Sequence, residues 1–256
     1  VLAFKRFAGI DSEIADAAVN AAAAFCQGEL APLNRIGDQN PARCTDGMVT
    51  TPPGFPAAFK AFSEAGFNGV SASPVAGGLG LPKMIAACVE ELTSNANLAF
   101  SLCPVLNRGA IAALSRFGTR FQQEVVLPRL VSGEWTGTMN LTEAQAGSDL
   151  GAIRTRAEPL DDHYSITGQK IFITYGEQDY TSNIVHLVLA RLPDAPPGPR
   201  GISLFMVPKF LIGPSGQLGK RNGVYCLSVE RKLGLHGSPT CVMSYGEKDI
   251  AHGWPI

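Results

Sequence analysis

The sequence predicts a chain in two parts, with a helical domain over residues 1–133 followed by a β-barrel or β-sandwich domain over residues 134–256. Before Gly133, apolar residues recur at the three-to-four-residue spacing of amphipathic helices. After Gly133, they alternate with polar residues in short segments separated by turns rich in glycine and proline. A run of helices followed by a run of strands is typical of separate helical and β-sheet domains. We therefore place the domain boundary near Gly133.

Capping residues and prolines delimit the first helices. Asp11 or Ser12 can cap a helix, and Pro32, which lacks an N–H, predicts that this helix ends before it. Residues 49–56 are rich in proline and predict a loop. Phenylalanines at helical spacing then predict a short helix that Gly66 ends.

Three more helices are predicted before the boundary. Pro82 suits the first turn of one, and residues 107–117 form the next. Thr119 and Gln122 make a capping box for the third, which Pro128 should bend or end.

The second part contains six segments that predict strands. Residues 193–201 and 212–223 are rich in proline or glycine and predict loops. The last six residues, AHGWPI, give no clear prediction. The six predicted strands cover residues 136–142, 153–158, 164–174, 184–190, 202–207 and 242–245.

The composition is that of an ordinary globular protein, with 45% hydrophobic and 17% charged residues among 256. A formal net charge of −1 gives no reason to expect a nucleic-acid partner or an acidic membrane surface. No uninterrupted apolar run is long enough to span a bilayer, and residues 15–25 come nearest. We therefore predict no nucleic-acid partner and no transmembrane segment.

The cysteines and histidines predict neither disulfides nor a metal site. None of the six cysteines forms a CxxC pair, so we expect free thiols and a cytoplasmic location. The four histidines are scattered, and none lies at ligand spacing from a cysteine or an acid.

Residues 139–149 (MNLTEAQAGSD) are the first candidate for a binding site. The alternation predicts a strand with Met139 and Leu141 on an apolar face and threonines and Asn140 on a polar face. The strand then breaks into a tight turn of small residues. Free N–H groups of this turn and the Ser148 hydroxyl would suit a phosphate oxygen.

Residues 170–176 (KIFITYG) are the second candidate. On a regular strand Ile171 and Ile173 face one way, while Phe172 and Thr174 face the other. A flat ring beside a hydroxyl suits a flat heteroaromatic ligand. Residue types alone nevertheless favour a purely structural role for both stretches by roughly four to one.

Longer matches strengthen the functional interpretation. The string LTEAQAGSD at 141–149, followed by KIFIT at 170–174, resembles the flavin-binding signature of the acyl-CoA dehydrogenase family. LPRLVSGEWTG at 127–137 and RKLGLHGSPT at 231–240 also resemble that family, in the same order. Residues 183–210 are most similar to a bacterial branch of larger members, which includes the 3-methylmercaptopropionyl-CoA dehydrogenases.

The resemblance implies the family's fold and its cofactor. In the family, FAD binds between a middle β-domain, which follows an N-terminal helical domain, and a C-terminal helical domain. It implies that Phe172 packs on the isoalloxazine and that Thr174 hydrogen-bonds near flavin N5. It also implies that the flavin is lined by Met139, Leu141 and Thr142.

The resemblance assigns the substrate to the same region. Ser148 should lie near the FAD pyrophosphate, and Gly147 and Ser148 should contact the acyl-CoA substrate. Two departures from the family pattern are Ala144, where a proline is usual, and Leu192, where some relatives have a serine that touches CoA. Met139 stands where some relatives have an aromatic residue.

The implied activity is FAD-dependent dehydrogenation of an acyl-CoA thioester to a 2,3-enoyl-CoA, as in fatty acid metabolism. An electron-transfer flavoprotein is the implied electron acceptor, and a homo-oligomer is the implied assembly. The family's general base is a glutamate of the C-terminal helical domain, so no catalytic residue is assigned here. Glu143 belongs to the flavin motif, and three other glutamates are expected to be solvent-facing or in loops: Glu158, Glu177 and Glu230.

The sequence has no initiating methionine, and its last predicted strand lies close to Ile256. We therefore expect a fragment that lacks the family's C-terminal helical domain and is inactive by itself. Two alternatives remain at this point. One is a non-catalytic module that binds flavin or acyl-CoA, and the other is an acyl-CoA oxidase.

Overall fold

The computed structural model describes residues 2, 4–7 and 9–256. The α-helices lie in the first half of the chain, and the last of them ends at Ser132. Strands of the large sheet begin at Trp135. The α-helices are α1 (Ser12–Phe25), α2 (Ala31–Gln39), α3 (Phe55–Glu64), α4 (Lys83–Ala96), α5 (Leu98–Phe117) and α6 (Leu127–Ser132).

Helix α1 ends before Pro32, as predicted, but the chain stays helical up to that proline. A wide π-helical turn, Cys26–Leu30, joins α1 to α2, and the N–H of Ala31 bonds to the carbonyl of Cys26. Pro32 then lies in the first turn of α2, where its missing N–H leaves no intrahelical bond unmade. A similar π-helical turn, Gln122–Val126, precedes Pro128 and leads into α6.

Helix α5 begins nine residues earlier than predicted. Asn97 caps it by accepting the N–H of Phe100 at 3.0 Å, and Pro104 is tolerated inside it. With 20 residues, it is long and apolar enough to cross a membrane by length and composition. Half of an 18-residue apolar stretch of this helix is buried inside the protein. Residues 15–25 are therefore not the nearest approach to a membrane span. The buried side of α5 packs against α4 and the first strand of the large sheet.

Twelve strands lie within the described residues. A short hairpin, β1 and β2, includes Val49 and Thr50, which the sequence placed in a loop. The strands are β1 (Arg43–Thr45), β2 (Met48–Thr50), β3 (Trp135–Asn140), β4 (Arg156–Leu160), β5 (His163–Thr174), β6 (Asn183–Arg191), β7 (Ile202–Pro208), β8 (Phe210–Ile212), β9 (Leu218–Arg221), β10 (Val224–Val229), β11 (Thr240–Tyr245) and β12 (Ala251–Pro255).

Eight strands form one large sheet in the order β10-β11-β5-β12-β7-β6-β3, with β4 alongside β5. The sheet curls so that its edge strand β3 approaches β5. Thr138 Oγ1 donates a hydrogen bond to the Thr174 carbonyl at 2.6 Å, and the Ile171 N–H donates to the Thr142 carbonyl at 2.9 Å. Helices followed by a curled β-domain confirm the predicted fold class.

One prediction about the second part is wrong, and the final residues, for which there was no prediction, form a strand. The final residues form β12, which pairs with both β5 and β7. Its alternation is hard to recognise because one inward position is Gly253, where an added Cβ would lie 2.7 Å from Ile166. The predicted loop 212–223 contains β9, which pairs with β8 in a separate hairpin. Short strands that are rich in glycine and charge carry little periodic signal.

Helix α5 fixes the start of β3. Gly137 lies so close to the helix that an added Cβ would be 2.3 Å from the Cβ of Ala110. The buried Asn107 side chain accepts the Gly137 N–H at 2.9 Å and donates to the Leu130 carbonyl at 2.9 Å. Because these groups have no access to water, the contacts hold β3 in one position against the helices.

Candidate functional site

Strand β3 presents its apolar side chains outward. Met139 and Leu141 are half-exposed, whereas Thr136, Thr138 and Asn140 are at most 1% exposed. The alternation predicted from the sequence is therefore present, with its polar face buried rather than facing solvent. The arrangement is stable because the interior supplies a hydrogen-bond partner for each buried polar side chain. The Tyr245 hydroxyl donates to Asn140 Oδ1 at 2.7 Å, and Gln178 Nε2 donates to Thr136 Oγ1 at 2.9 Å. Thr138 donates to the Thr174 carbonyl.

Strand β5 contains a bulge at its fourth- and third-last residues. Two residues, Ile171 and Phe172, stand opposite one residue of β11, and Phe172 has a φ of +59°. Lys170 and Ile173 are therefore both buried, at 0% and 2% exposure. The prediction that Ile171 and Ile173 share one face of a regular strand is wrong for this reason.

The bulge turns the ring of Phe172 outward. The ring is 57% exposed, although phenylalanine is normally buried. A positive φ at a bulky residue is uncommon and costs about 1–3 kcal/mol, so the surrounding structure must hold it in place. An exposed aromatic ring held in a strained backbone is typical of a ligand-binding position.

The two predicted stretches meet at this point. The segment with Met139, Leu141 and Thr142 lies beside the end of β5, which carries Phe172 and Thr174. Within the described part of the chain, the hydroxyls of Thr142 and Thr174 have no hydrogen-bond partner. The result is an open apolar surface with unpaired hydroxyls, which fits a flat heteroaromatic ring with hydrogen-bonding edges.

The turn after β3 is exposed and has free donors. Gly147 and Ser148 face solvent, and their backbone N–H groups donate to no described residue. An added Cβ on Gly147 would meet nothing within 4 Å. Ala144 does not loosen the turn, since Glu143 and Ala146 exchange two backbone hydrogen bonds of 3.1 and 3.0 Å. The turn can therefore receive an anionic group.

Glu143 anchors the base of this turn from the interior. Its buried carboxylate accepts hydrogen bonds from Lys170 Nζ at 2.8 Å, from the Thr155 N–H and hydroxyl at 3.0 and 2.6 Å, and from the Arg154 N–H at 2.7 Å. Burial opposes ionisation, but these hydrogen bonds and the Lys170 charge outweigh it and lower the pKa of Glu143 to about 2. Glu143 is thus a structural acid within the motif.

Lys170 is part of the site that sequence reasoning missed. It is fully buried, and its Nζ also donates to the Leu141 carbonyl at 2.9 Å. Burial lowers the pKa of Lys170, and the neighbouring carboxylate partly offsets this effect. A lysine inside the apolar string KIFIT was the available signal, because a buried lysine requires a partner.

Glu177 lies in the loop after β5, one of the two positions expected for it, but it is buried rather than solvent-facing. It is 3% exposed and forms ion pairs with Lys209 and with Arg221, the latter at 3.2 Å. Glu158 is exposed and Glu230 is half-exposed. The two buried glutamates are therefore both neutralised by basic partners within the sheet domain.

Comparison with known proteins assigns both parts of the chain to one family. Residues 12–134 match the family model for the acyl-CoA dehydrogenase N-terminal domain, and residues 138–247 match that for the middle domain. The chain is 48% identical over 257 residues to the 3-methylmercaptopropionyl-CoA dehydrogenase of Ruegeria pomeroyi, covering 100% of this chain and 43% of that protein. It is 38% identical over 259 residues to a butyryl-CoA dehydrogenase of Syntrophomonas wolfei, covering 99% and 42%.

A solved structure shows the same fold. The acyl-CoA dehydrogenase of Bacillus anthracis, complexed with FAD, superposes with a TM-score of 0.74 at 23% identity, over 96% of this chain and 37% of that chain. The chain thus spans about two fifths of the length of the curated relatives described above. From the two domain matches and these identities, the chain belongs to the acyl-CoA dehydrogenase family of FAD-dependent oxidoreductases.

Proposed function

We propose that this chain forms the flavin-holding part of an enzyme that converts an acyl-CoA thioester to a 2,3-enoyl-CoA. The observation that carries the proposal is the strained, outward-facing ring of Phe172 next to the unpaired hydroxyl of Thr174. These two residues, with Met139, Leu141 and Thr142, form the surface for the isoalloxazine. Division into a helical domain over 1–133 and a flavin-binding domain over 134–256 is part of the proposal.

The residues of this surface have separate tasks. FAD, when bound, supplies the two-electron acceptor. Phe172 would cover one face of the ring system and exclude water, and the Thr174 hydroxyl would donate a hydrogen bond to its edge. Ser148 and Gly147 offer a hydroxyl and N–H groups to phosphate and substrate oxygens.

We propose that the general base comes from outside these 256 residues. Proton abstraction next to a thioester needs a base within hydrogen-bond reach of the α-carbon. Glu143 and Glu177 are committed to Lys170, Lys209 and Arg221, so neither is available. The matched relatives are more than twice as long as this chain, which leaves room for the missing group.

We base the proposed substrate and electron acceptor on the similarity to the relatives. A short or medium acyl-CoA is the proposed substrate, and 3-methylmercaptopropionyl-CoA is the specific candidate because of the 48% identity to the Ruegeria pomeroyi protein. An electron-transfer flavoprotein is the proposed electron acceptor. A homo-oligomeric assembly and a cytoplasmic location remain predictions.

Anaerobic titration tests the proposal. The full-length protein that contains this chain should lose its flavin absorbance when a panel of acyl-CoA thioesters is added without oxygen, and the 256-residue chain should not. Rapid oxygen consumption by the full-length protein would identify an oxidase instead. If no acyl-CoA bleaches the full-length protein, a non-catalytic binding module is the better explanation.

Replacing Thr174 with valine should weaken flavin binding by about 0.5–1.5 kcal/mol or shift the flavin potential, because one net hydrogen bond is lost. Flavin affinity and midpoint potential of the full-length protein are the measurements. Thr167→Val, at an exposed position of the same strand, is the matched control and should change neither quantity. Equal behaviour of the two variants would remove Thr174 from the site.

A further inference from the structure

Arg191, the last residue of β6, ties two loops together. Its guanidinium donates to the carbonyls of Ile153 at 3.1 Å and Gly151 at 2.5 Å, which belong to the loop between β3 and β4. It also donates to the carbonyls of Pro196 at 3.1 Å and Gly198 at 2.9 Å, in the loop between β6 and β7. One planar group thus fixes both loops through four backbone acceptors.

Two glycines allow the loops to meet around this group. An added Cβ on Gly151 would lie 3.4 Å from the Gly198 Cα and 3.3 Å from Pro199. An added Cβ on Gly201 would lie 1.9 Å from the Pro196 carbonyl oxygen and 2.8 Å from an Arg191 nitrogen. The contact is therefore tight, and a single methyl group would disturb it.

The charge of Arg191 is not neutralised. All four acceptors are carbonyl oxygens, and among the described residues no carboxylate forms an ion pair with this guanidinium. Gly151 follows Ser148 by three residues, so at most about 10 Å of chain separates the guanidinium's acceptor from the exposed turn. The Asp149 carboxylate, next to Ser148 in the chain, accepts the Gly151 N–H at 2.9 Å and offsets that positive charge. The free N–H groups of Gly147 and Ser148, held in place through the loop that Arg191 binds, are therefore what suits the turn to an anion.

We propose that Arg191 is a positioning residue that holds the Gly147–Ser148 turn in place for the diphosphate of an adenosine-containing coenzyme. The inference rests on the proposed function. FAD and acyl-CoA both carry such a diphosphate, so the shared chemistry is the same for either ligand. Arg191 acts through the loop carbonyls and does not touch the ligand.

Paired ligands with and without the diphosphate provide the test. In the full-length protein, Arg191→Met should raise either the KM for acyl-CoA or the Kd for FAD roughly tenfold or more, because a misplaced turn loses oriented charge-assisted hydrogen bonds. The value of kcat should change less than these two constants. The same variant should change the KM for the acyl-pantetheine thioester and the Kd for riboflavin by less than about threefold. A loss confined to acyl-CoA or to FAD identifies which diphosphate the turn receives.

Three other variants separate positioning from charge and from folding. Arg191→Lys keeps the charge but not the planar fork, so it should recover only part of the loss. Gly201→Ala keeps Arg191 but displaces the loop that it holds, because the added Cβ would lie 1.9 Å from the Pro196 carbonyl oxygen. It should reproduce the selective loss even if Arg191→Met folds poorly. Arg200→Met removes an exposed charge from the same loop and should behave as wild type.

Equal losses with and without the diphosphate would show that Arg191 is merely structural. Wild-type behaviour of both Arg191→Met and Gly201→Ala would also overturn the proposal. If the wild-type protein neither binds FAD nor reacts with any acyl-CoA, the proposed function fails, and the inference about Arg191 fails with it. A wild-type protein that is active while the variants show no selectivity contradicts only the inference.

Discussion

Replacing Lys170 with methionine should lower the free energy of unfolding by roughly 3–5 kcal/mol, because it leaves the carboxylate of Glu143 buried without its cationic partner. Lys170 also bonds to the Leu141 carbonyl, so the variant frees the segment beside Phe172 as well. Urea unfolding followed by circular dichroism measures the loss. The flavin affinity of the full-length protein should fall in the same variant.

A second substitution should distinguish a lost charge partner from a packing defect. In the double variant Lys170→Met/Glu143→Gln the buried charge is gone, while the amide oxygen can still accept the Thr155 N–H. We expect this double variant to be more stable than Lys170→Met alone. Lys220→Met removes an exposed lysine and should leave stability unchanged. A loss of less than 1 kcal/mol in Lys170→Met would contradict the importance of the pair.

His186 should make the protein less stable as the pH falls below neutrality. It is 1% exposed, and its Nδ1 has no hydrogen-bond partner. Burial, followed by the charges of Lys209 and Arg221, lowers the pKa of His186 from 6.5 to about 3. The unfolded chain therefore binds a proton below pH 6.5, whereas the folded protein does so only below about pH 3. Between these values, stability should fall by about 1.4 kcal/mol for each unit of pH.

The free energy of unfolding at pH 7, 6, 5 and 4 tests this expectation. The difference between wild type and His186→Phe isolates the contribution of this residue from other titrating groups. His186→Gln, which also cannot titrate, should give the same pH dependence as His186→Phe despite its different packing. If both variants lose stability on acidification as steeply as wild type, the buried histidine is not responsible.

Glu143 adds a separate effect at lower pH. Its folded pKa of about 2 lies below its ordinary value of 4.5, so its contribution to stability is present above pH 4.5. That contribution is lost as the pH falls from 4.5 through 2. The two residues therefore affect stability over partly different pH ranges. A loss of stability between pH 6.5 and 4.5 that disappears in the His186 variants is due to His186 and not to Glu143.

The strand around Met139 shows what periodicity could and could not predict. Alternation correctly placed Met139 and Leu141 on one face and the threonines and Asn140 on the other. It could not say which face is buried, because that depends on whether the interior offers partners. Tyr245 and Gln178 supply them from positions 105 and 42 residues away. Hydrogen bonds between distant residues therefore reversed the usual preference for apolar burial.

The other failures have equally local causes. A bulge adds one residue to β5, so counting by twos gives the wrong face from Phe172 onward. A π-helical turn keeps the chain helical between α1 and Pro32, which the proline did not predict. The role of Arg191 could not be predicted from the sequence, because its four acceptors lie in two loops. Two of them precede it by 38 and 40 residues, and two follow it by 5 and 7 residues.

The place of β12 in the sheet bears on how the protein is made. This strand, Ala251–Pro255, is synthesised after all the others, yet it lies between β5 and β7. At roughly 5–20 residues per second, the ribosome leaves β5 and β7 without their common neighbour for several seconds. Their unpaired backbone groups are then open to pairing with other chains. Cotranslational folding of this domain should therefore finish late, and a chaperone that covers strand edges should raise the yield of folded protein.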